Sequence, residues 1–531
     1  MPMNWLRGLR GRGQPPADPP PGGPITPPVD AGNAWWIELL TLLDGVGAAD
    51  SVDAAAWTLW DRVQSMDGRG WVRADEMLRP RLWSNDWSRT LRWLGGEVDV
   101  RRLAVPAGTE AAVLGLVASH SSGFVREAAV QRLALVGGGD ELPPLLLRAN
   151  DWVPQVRNRA VDALCARVLP AYAGAWVRWL RLVLRLGGER RQDVRPLVDA
   201  VMALLRGDAA REAVLAGLHA PDRVVRRTCF SIVAEDPDAS VRTEAVFCAL
   251  GSDDVALRRV AVRAAGSLAD ARLRDLLPRM LHDSASSVRL AALRLAVERD
   301  AWGWVPQIRP RLLDRSAAVR AEARTALAAV EPMDFAAFYR GYVVAGAGHL
   351  AAAVAGLAET GGSEDAALVR PLVDDARPRV RAAAVRALAR LGGAAAVSTL
   401  LRAVRDANPS VSRTAAVVLR DAVRGIGVDE TSVLYRDSTS AHVRLNALSL
   451  LAVRGKWESI SWILRALRDT DERVRRRAQA HLNRWKQRFN RVGSQPTPDQ
   501  LRELRGALEQ AADALDPRMR DWLRFAAGLP R

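Results

Sequence analysis

The chain has 531 residues, 49% of them apolar and 26% charged, and 76 basic residues outnumber 60 acidic ones for a net charge of +16. A single core stops growing near ~250–300 residues, so the chain is either several domains or a solenoid that extends by stacking. Ordinary globular composition excludes wholesale disorder, and the positive surplus points toward an anionic partner.

Lys456 and Lys486 are the only lysines, so 74 of the 76 basic residues are Arg. That excess runs through the whole chain and reads as a compositional habit. Cys165, Cys229 and Cys248 are scattered, with neither a disulfide framework nor metal-ligand spacing, and read as small buried apolar residues of a reducing compartment. The first ten residues carry no apolar signal core, and no run reaches the ~18 uncharged apolar residues of a membrane span. Ala175–Leu186 comes nearest, but Arg178, Arg181 and Arg185 interrupt it. A cytoplasmic protein without a transmembrane segment is expected.

Residues 1–31 hold prolines at 15, 16, 19, 20, 21, 24, 27 and 28 and read as a disordered Pro-rich arm. Residues 32–118 read as a Trp-rich helical N-terminal domain. Trp35, Trp36, Trp57, Trp60, Trp71, Trp83, Trp87 and Trp93 fall there, and the 57/60 and 83/87 pairs have the spacing of one helical face. That spacing argues for a Trp-filled core ahead of a ligand site.

From residue 119 a repeat decides the fold. An Asp opens a turn, Val-Arg follows five and six residues later, and an Ala/Leu helix continues. It occurs at Asp151/Arg157, Asp283/Arg289, Asp314/Arg320, Asp375/Arg381 and Asp469/Arg475. At Asp406 the Arg position is Ser412, and Asp437/Arg444 is one residue longer. The Arg positions 289, 320, 381, 412, 444 and 475 step by 31, 61, 31, 32 and 31, where 61 spans two units with a degenerate copy near His349–Leu357. Arg226 and Arg258 extend the series backwards. An irregular insert of longer helices is expected at roughly 168–218. On the second helix of one unit, Val319, Ala323, Ala326, Leu327 and Val330 form a single apolar stripe. A period near 31 without strand alternation means two short antiparallel helices per unit, and such units bury their faces only by stacking. The fold class is all-α, an armadillo-like α-solenoid over 119–489. A helical cap fills 490–531, where Thr497-Pro498-Asp499-Gln500 is a capping box.

The Asp-x5-Arg spacing with Val before the Arg, on 31-residue helical pairs, resembles HEAT repeats. The short period is most similar to the phycobilisome-lyase type of HEAT-like repeat. The resemblance implies that Asp283, Arg289, Asp314, Arg320, Asp375, Arg381, Asp469 and Arg475 form a structural ladder between adjacent repeats and are not ligand contacts. It also implies that the second helix of each pair lines a concave face. Arg263, Arg294, Arg324 and Arg386, four or five residues after the motif Arg, are then candidate concave-face contacts. Arg294 has Glu298 as a local acidic neighbour.

No catalytic or cofactor motif stands out: Gly-x-Ser-x-Gly, a phosphate-cradling Gly-rich loop and His-Glu-x-x-His are all missing, and the six His are scattered. No cofactor or metal is expected. One segment departs from background. Residues 473–491 carry seven Arg and Lys486 without an Asp or Glu. Arg473, Arg477, Arg484, Arg488 and Arg491 fall within about 60° of helical arc, beside an apolar stripe of Val474, Ala478, His481, Trp485 and Phe489. This basic stripe is the candidate nucleic-acid contact. The expected function is a non-enzymatic scaffold that holds a protein or peptide partner, an acidic one by charge; the alternative is a nucleic-acid-binding solenoid.

Overall fold

Among the described residues all regular structure is helical and no strand is present. The computed structural model describes residues 52–81, 100–188, 194–300, 302–346, 348–491 and 493–529. The Pro-rich arm, Trp35, Trp36, Trp83, Trp87 and Trp93 lie outside the described residues. The chain divides into two units, Met1–Cys248 and Ala249–Arg531.

In the first unit, helices Val52–Gln64 and Gly68–Arg81 precede Glu110–Val117 and Gly123–Leu133. Trp71 is buried, and a Cβ on Gly115 would meet its ring at 2.7 Å. Trp57 is half exposed and meets Trp60 edge to face at 5.6 Å. The insert is a run of short helices between Ala173 and Gly217. It is pinned by Trp176, whose Nε1 donates to the Arg167 carbonyl at 2.8 Å, and by buried Arg167, whose Nε donates to Glu141 at 2.7 Å. Cys229 is buried, and burial pushes its thiol up to about 12. Cys165 departs from the buried reading: it is the last residue of helix Pro154–Cys165 and is exposed.

The second unit stacks its motif-bearing helices side by side. They are α1 (Val255–Ala265), α2 (Ser286–Asp300), α3 (Ala317–Val330), α4 (Leu350–Thr360), α5 (Pro378–Leu391), α6 (Pro409–Leu419), α7 (Ala441–Leu451) and α8 (Glu472–Arg488). Side-chain oxygens start several of them: Asp254 accepts from Ala256 N, Asn408 from Ser410 N and Asp471 from Arg473 N. Prolines sit in the first turn of α5 and α6, where no donor is lost. The motif valines 288, 319, 380, 411, 443 and 474 are all buried. Between these helices, Pro310 and Pro371 fall just after short α segments and convert the chain to 3-10 helix over Arg309–Leu313 and Arg370–Asp374.

The motif Asp and Arg make rungs with a fixed offset. Each Arg fork grips the Asp that lies 25 residues later, in the next repeat: Arg258 with Asp283, Arg289 with Asp314, Arg381 with Asp406 and Arg444 with Asp469. In the first unit Arg126 grips Asp151 in the same way. For Arg289 both bonds to Asp314 measure 2.7 Å, and its Nη1 donates to the Asp283 carbonyl at 2.8 Å. The Asp also accepts the backbone N–H two residues on, as Ser316 N donates to Asp314 at 2.8 Å. One side chain therefore organises its own turn and locks the preceding repeat. Burial alone would raise the Asp314 carboxyl; the Arg289 and Ser316 hydrogen bonds outweigh it and hold the group below its ordinary value.

Three motif residues depart from a simple ladder, each for a visible reason. The degenerate repeat has Leu350 where Arg would reach Asp375, and Asp375 is instead chelated by Arg377 of its own turn, which lowers it to about 2. Arg320 has no motif Asp ahead of it and forks onto Glu359 at the end of α4, while its Nη1 donates to the Asp314 carbonyl at 2.7 Å. Arg475 closes the series: it is exposed and bonds only the Asp469 and Thr470 carbonyls. Where Ser412 replaces Arg, His442 of the next repeat reaches the Asp406 carbonyl at 3.0 Å. The capping box at Thr497 and Gln500 forms with both reciprocal bonds. Beneath it Trp457, Trp485, Phe489 and Trp522 pack as one aromatic cluster.

Candidate partner-binding groove

The degenerate repeat opens a groove in the second unit. With Leu350 in place of the motif Arg, the first turns of α4 present only Ala351, Ala352 and Ala355 beside it to the groove. The result is a groove of about 1770 Å³ bounded by α3, α4, α5 and the turns before them. His349 enters α4 with φ +68°, an uncommon left-handed conformation for a residue other than glycine, and lines the groove.

The lining is strongly basic, and its carboxylates are already committed. Asp283 pairs with Arg258 at 2.8 Å and Asp314 with Arg289 at 2.7 Å. Asp375, at the rim, pairs with Arg377 at 2.9 Å. Glu359 accepts from both Arg320 and Arg324. Arg311, Arg315, Arg379 and Arg386 also line the groove, and none has a carboxylate within ion-pair distance among the described residues. Arg311 donates to the Leu281 carbonyl at 2.8 Å and Arg315 to the Ser284 carbonyl. Burial and, second, its nearness to Asp314 and Arg289 act on Arg311, with burial dominant, so its affinity for the proton falls. Arg386 is likewise held below the ordinary arginine value, chiefly by the surrounding protein and then by Arg320.

The candidate concave-face arginines separate into different environments. Arg386 stands in the groove without an ion-pair partner among the described residues. Arg324 lies beneath it, bonded to Glu359 at 2.7 Å and to the Tyr339 hydroxyl at 3.4 Å. Arg294 pairs with Glu322 of α3 at 3.0 Å, across helices, and not with Glu298. Arg263 is exposed on α1, outside the groove lining. Sequence reasoning missed Arg311, Arg315 and Arg379. They carry no shared offset from the motif, and they line one groove together with Ala351 and Ala355.

The basic stripe on α8 is thinner than its sequence suggests. Arg473 chelates Asp471, Arg475 is held by backbone carbonyls, and Arg476 pairs with Glu472 at 3.3 Å. Those acids lie just before the window 473–491, which is why the window reads as uncompensated. Arg477, Arg484 and Arg488 remain exposed without an ion pair among the described residues, and the side chain of Arg491 lies outside them. His481 is buried behind the stripe. Burial, then Arg484, Arg477 and Arg420, hold it down at about 4. Trp485 is buried in the aromatic cluster and offers no stacking face.

Among the described residues no group of His, Cys, Asp and Glu could hold a metal ion. No helix among them is long and apolar enough to cross a membrane. A family model described as HEAT repeats matches residues 348–420, the segment that contains α4, α5 and α6. No curated protein matches the chain. Among solved structures it is similar to yeast importin-beta (Kap95p) at 12% identity and TM-score 0.36, covering 90% of this chain and 67% of that one. It is also similar to the karyopherin Kap121p bound to Pho4p at 14% identity and TM-score 0.31, covering 91% and 61%. Likeness at that level carries no argument about partners. Residues 348–420 thus match HEAT repeats, and the Arg–Asp rungs continue on either side of them within an all-α solenoid.

Proposed function

We propose that the chain is a non-enzymatic binding scaffold and that the α3–α5 groove holds an acidic segment of a protein partner. The observation that carries this reading is the charge ledger of the groove: its acids are spent on rungs, while Arg311, Arg315, Arg379 and Arg386 face the open volume without a carboxylate. An acidic segment supplies the missing charge, and Arg forks suit carboxylates in two-point geometry. The 31-residue period supports the finer kinship with phycobilisome-lyase-type HEAT-like repeats.

Nucleic-acid binding is the second reading. Arg477, Arg484 and Arg488 on one exposed face of α8 favour it. The test is a titration of full-length chain with a labelled oligoglutamate peptide and with labelled duplex DNA at matched salt. Peptide binding that Arg379→Glu with Arg386→Glu weakens by about tenfold or more supports the groove. DNA binding that is unchanged in that pair and lost in Arg477→Glu with Arg484→Glu, without any peptide binding, selects the second reading.

A further inference from the structure

Glu359 sits at the end of α4 with its side chain 16% exposed and receives two guanidinium groups, Arg320 and Arg324. Arg320 forks across both of its oxygens, and Arg324 adds a bond at 2.7 Å. Both arginines are themselves largely buried, at 4% and 16% side-chain exposure. Tyr339 closes the back of the cluster: its hydroxyl donates to the Leu312 carbonyl at 2.9 Å and accepts from Arg324. Arg386 approaches from α5, near enough to Arg320 for the two to repel, and has no carboxylate of its own. Arg320 and Arg324 thus share one carboxylate, and Arg386 adds a third guanidinium to the groove wall that Arg320 also lines, so positive charge exceeds negative by two among these four side chains.

That surplus discriminates among anions. A single carboxylate would leave one charge unmet, and so would one phosphodiester of a nucleic-acid backbone. A phosphomonoester at neutral pH carries close to two negative charges and three acceptor oxygens, which balances the cluster and matches an Arg fork. We propose that Arg386, backed by Arg320 and Arg324, forms a phosphoryl subsite that takes a phosphorylated side chain of the partner segment. This rests on the reading of the groove as a partner-binding surface.

The experiment uses the full chain and a labelled peptide with one serine flanked on each side by glutamates, in three forms: free hydroxyl, phosphorylated, and serine replaced by glutamate. The phosphorylated form should bind about tenfold tighter than the glutamate form at pH 7.5. That advantage should shrink as pH falls through ~6, the second ionisation of the phosphate. Arg386→Gln should bring the ratio of the two affinities to about one. Since Arg386 belongs to no rung, the melting temperature should stay at the parent value, and Arg386→Lys should restore part of the preference. A ratio near one in the parent, a preference that survives Arg386→Gln, or displacement of the phosphopeptide by duplex DNA at equal phosphate concentration would overturn the subsite. If all three peptides bind equally, the subsite falls while the acidic groove stands; if none binds, both fall.

Discussion

Asp314 shows how much one carboxylate does in this architecture. It accepts two bonds from Arg289, accepts the Ser316 amide, and its carbonyl receives Arg320. Asp314→Ala leaves the Arg289 guanidinium, 4% exposed, without its anion. Breaking one side of a buried pair costs ~3–5 kcal/mol, so the unfolding midpoint of the second unit should drop by several degrees in a thermal melt. The same change at Asp375 should cost far less, since its partner Arg377 is exposed and sits in the same turn. The rung carboxylates also set an acid limit. Asp283, Asp314, Asp406 and Asp469 all lie below their ordinary values in the folded chain, because arginine bonds outweigh burial. A group lowered on folding lends stability above its unfolded value near ~4 and loses it as pH falls through the folded value. Stability should therefore be flat only above about pH 7: it declines first between about 6.5 and 4, where unfolded His481 takes up a proton that the buried ring, held at about 4, does not, and further below pH 4 as the rung carboxylates protonate, checked by denaturant melts across that window. The pairing direction was not legible in the sequence. Asp314 and Arg320 share a motif, but the fork of Arg320 bypasses its own Asp for Glu359, because antiparallel packing puts the next repeat, and not the same turn, in front of the guanidinium.

At the scale of elements, the informative helix is the one that breaks the repeat. The sequence locates a degenerate copy near 349–357 by counting, and the structure places α4 there. What counting does not show is that losing the motif Arg empties a volume. Ala351, Ala352 and Ala355 leave a groove, and Arg379 and Arg386 of α5 line it. Gly356 has a separate duty: a Cβ there would overlap the ring of Tyr339. Gly356→Ala should push Tyr339 off the Leu312 carbonyl and cost ~1–3 kcal/mol from overpacking, read as a lowered melting temperature. Ala355→Leu is the complementary change. It fills the groove from its floor, so the acidic peptide should bind several-fold more weakly while the melting temperature stays within about 2 °C of the parent. The α8 stripe teaches the reverse lesson. The sequence shows a row of five arginines, yet Asp471 just upstream takes Arg473 out of the free charge, and Glu472 does the same for Arg476 beside the row. With Arg477, Arg484 and Arg488 free among the described residues and Arg491 the fourth of the row, duplex DNA should show a log–log salt slope of about −3 to −4, smaller than a five-charge row would give.

For the whole molecule, a net charge of +16 does not say where an anion would go. Many arginines are spent on carbonyls and carboxylates inside the stack, and four without a carboxylate among the described residues, Arg311, Arg315, Arg379 and Arg386, meet where the repeat fails. The all-α solenoid was readable from periodicity because each unit repeats its apolar stripe and its Asp–Arg signal. The groove was not, since it depends on side chains that are missing from one unit and supplied by the turns of its neighbours. The measurement that tests this account most directly is hydrogen–deuterium exchange on the full chain with and without a saturating oligoglutamate peptide. The account predicts slowed exchange in residues 350–356 and 376–386, around the groove, and unchanged exchange in 473–488. Protection confined to 473–488, or none at all with peptide bound, would contradict it.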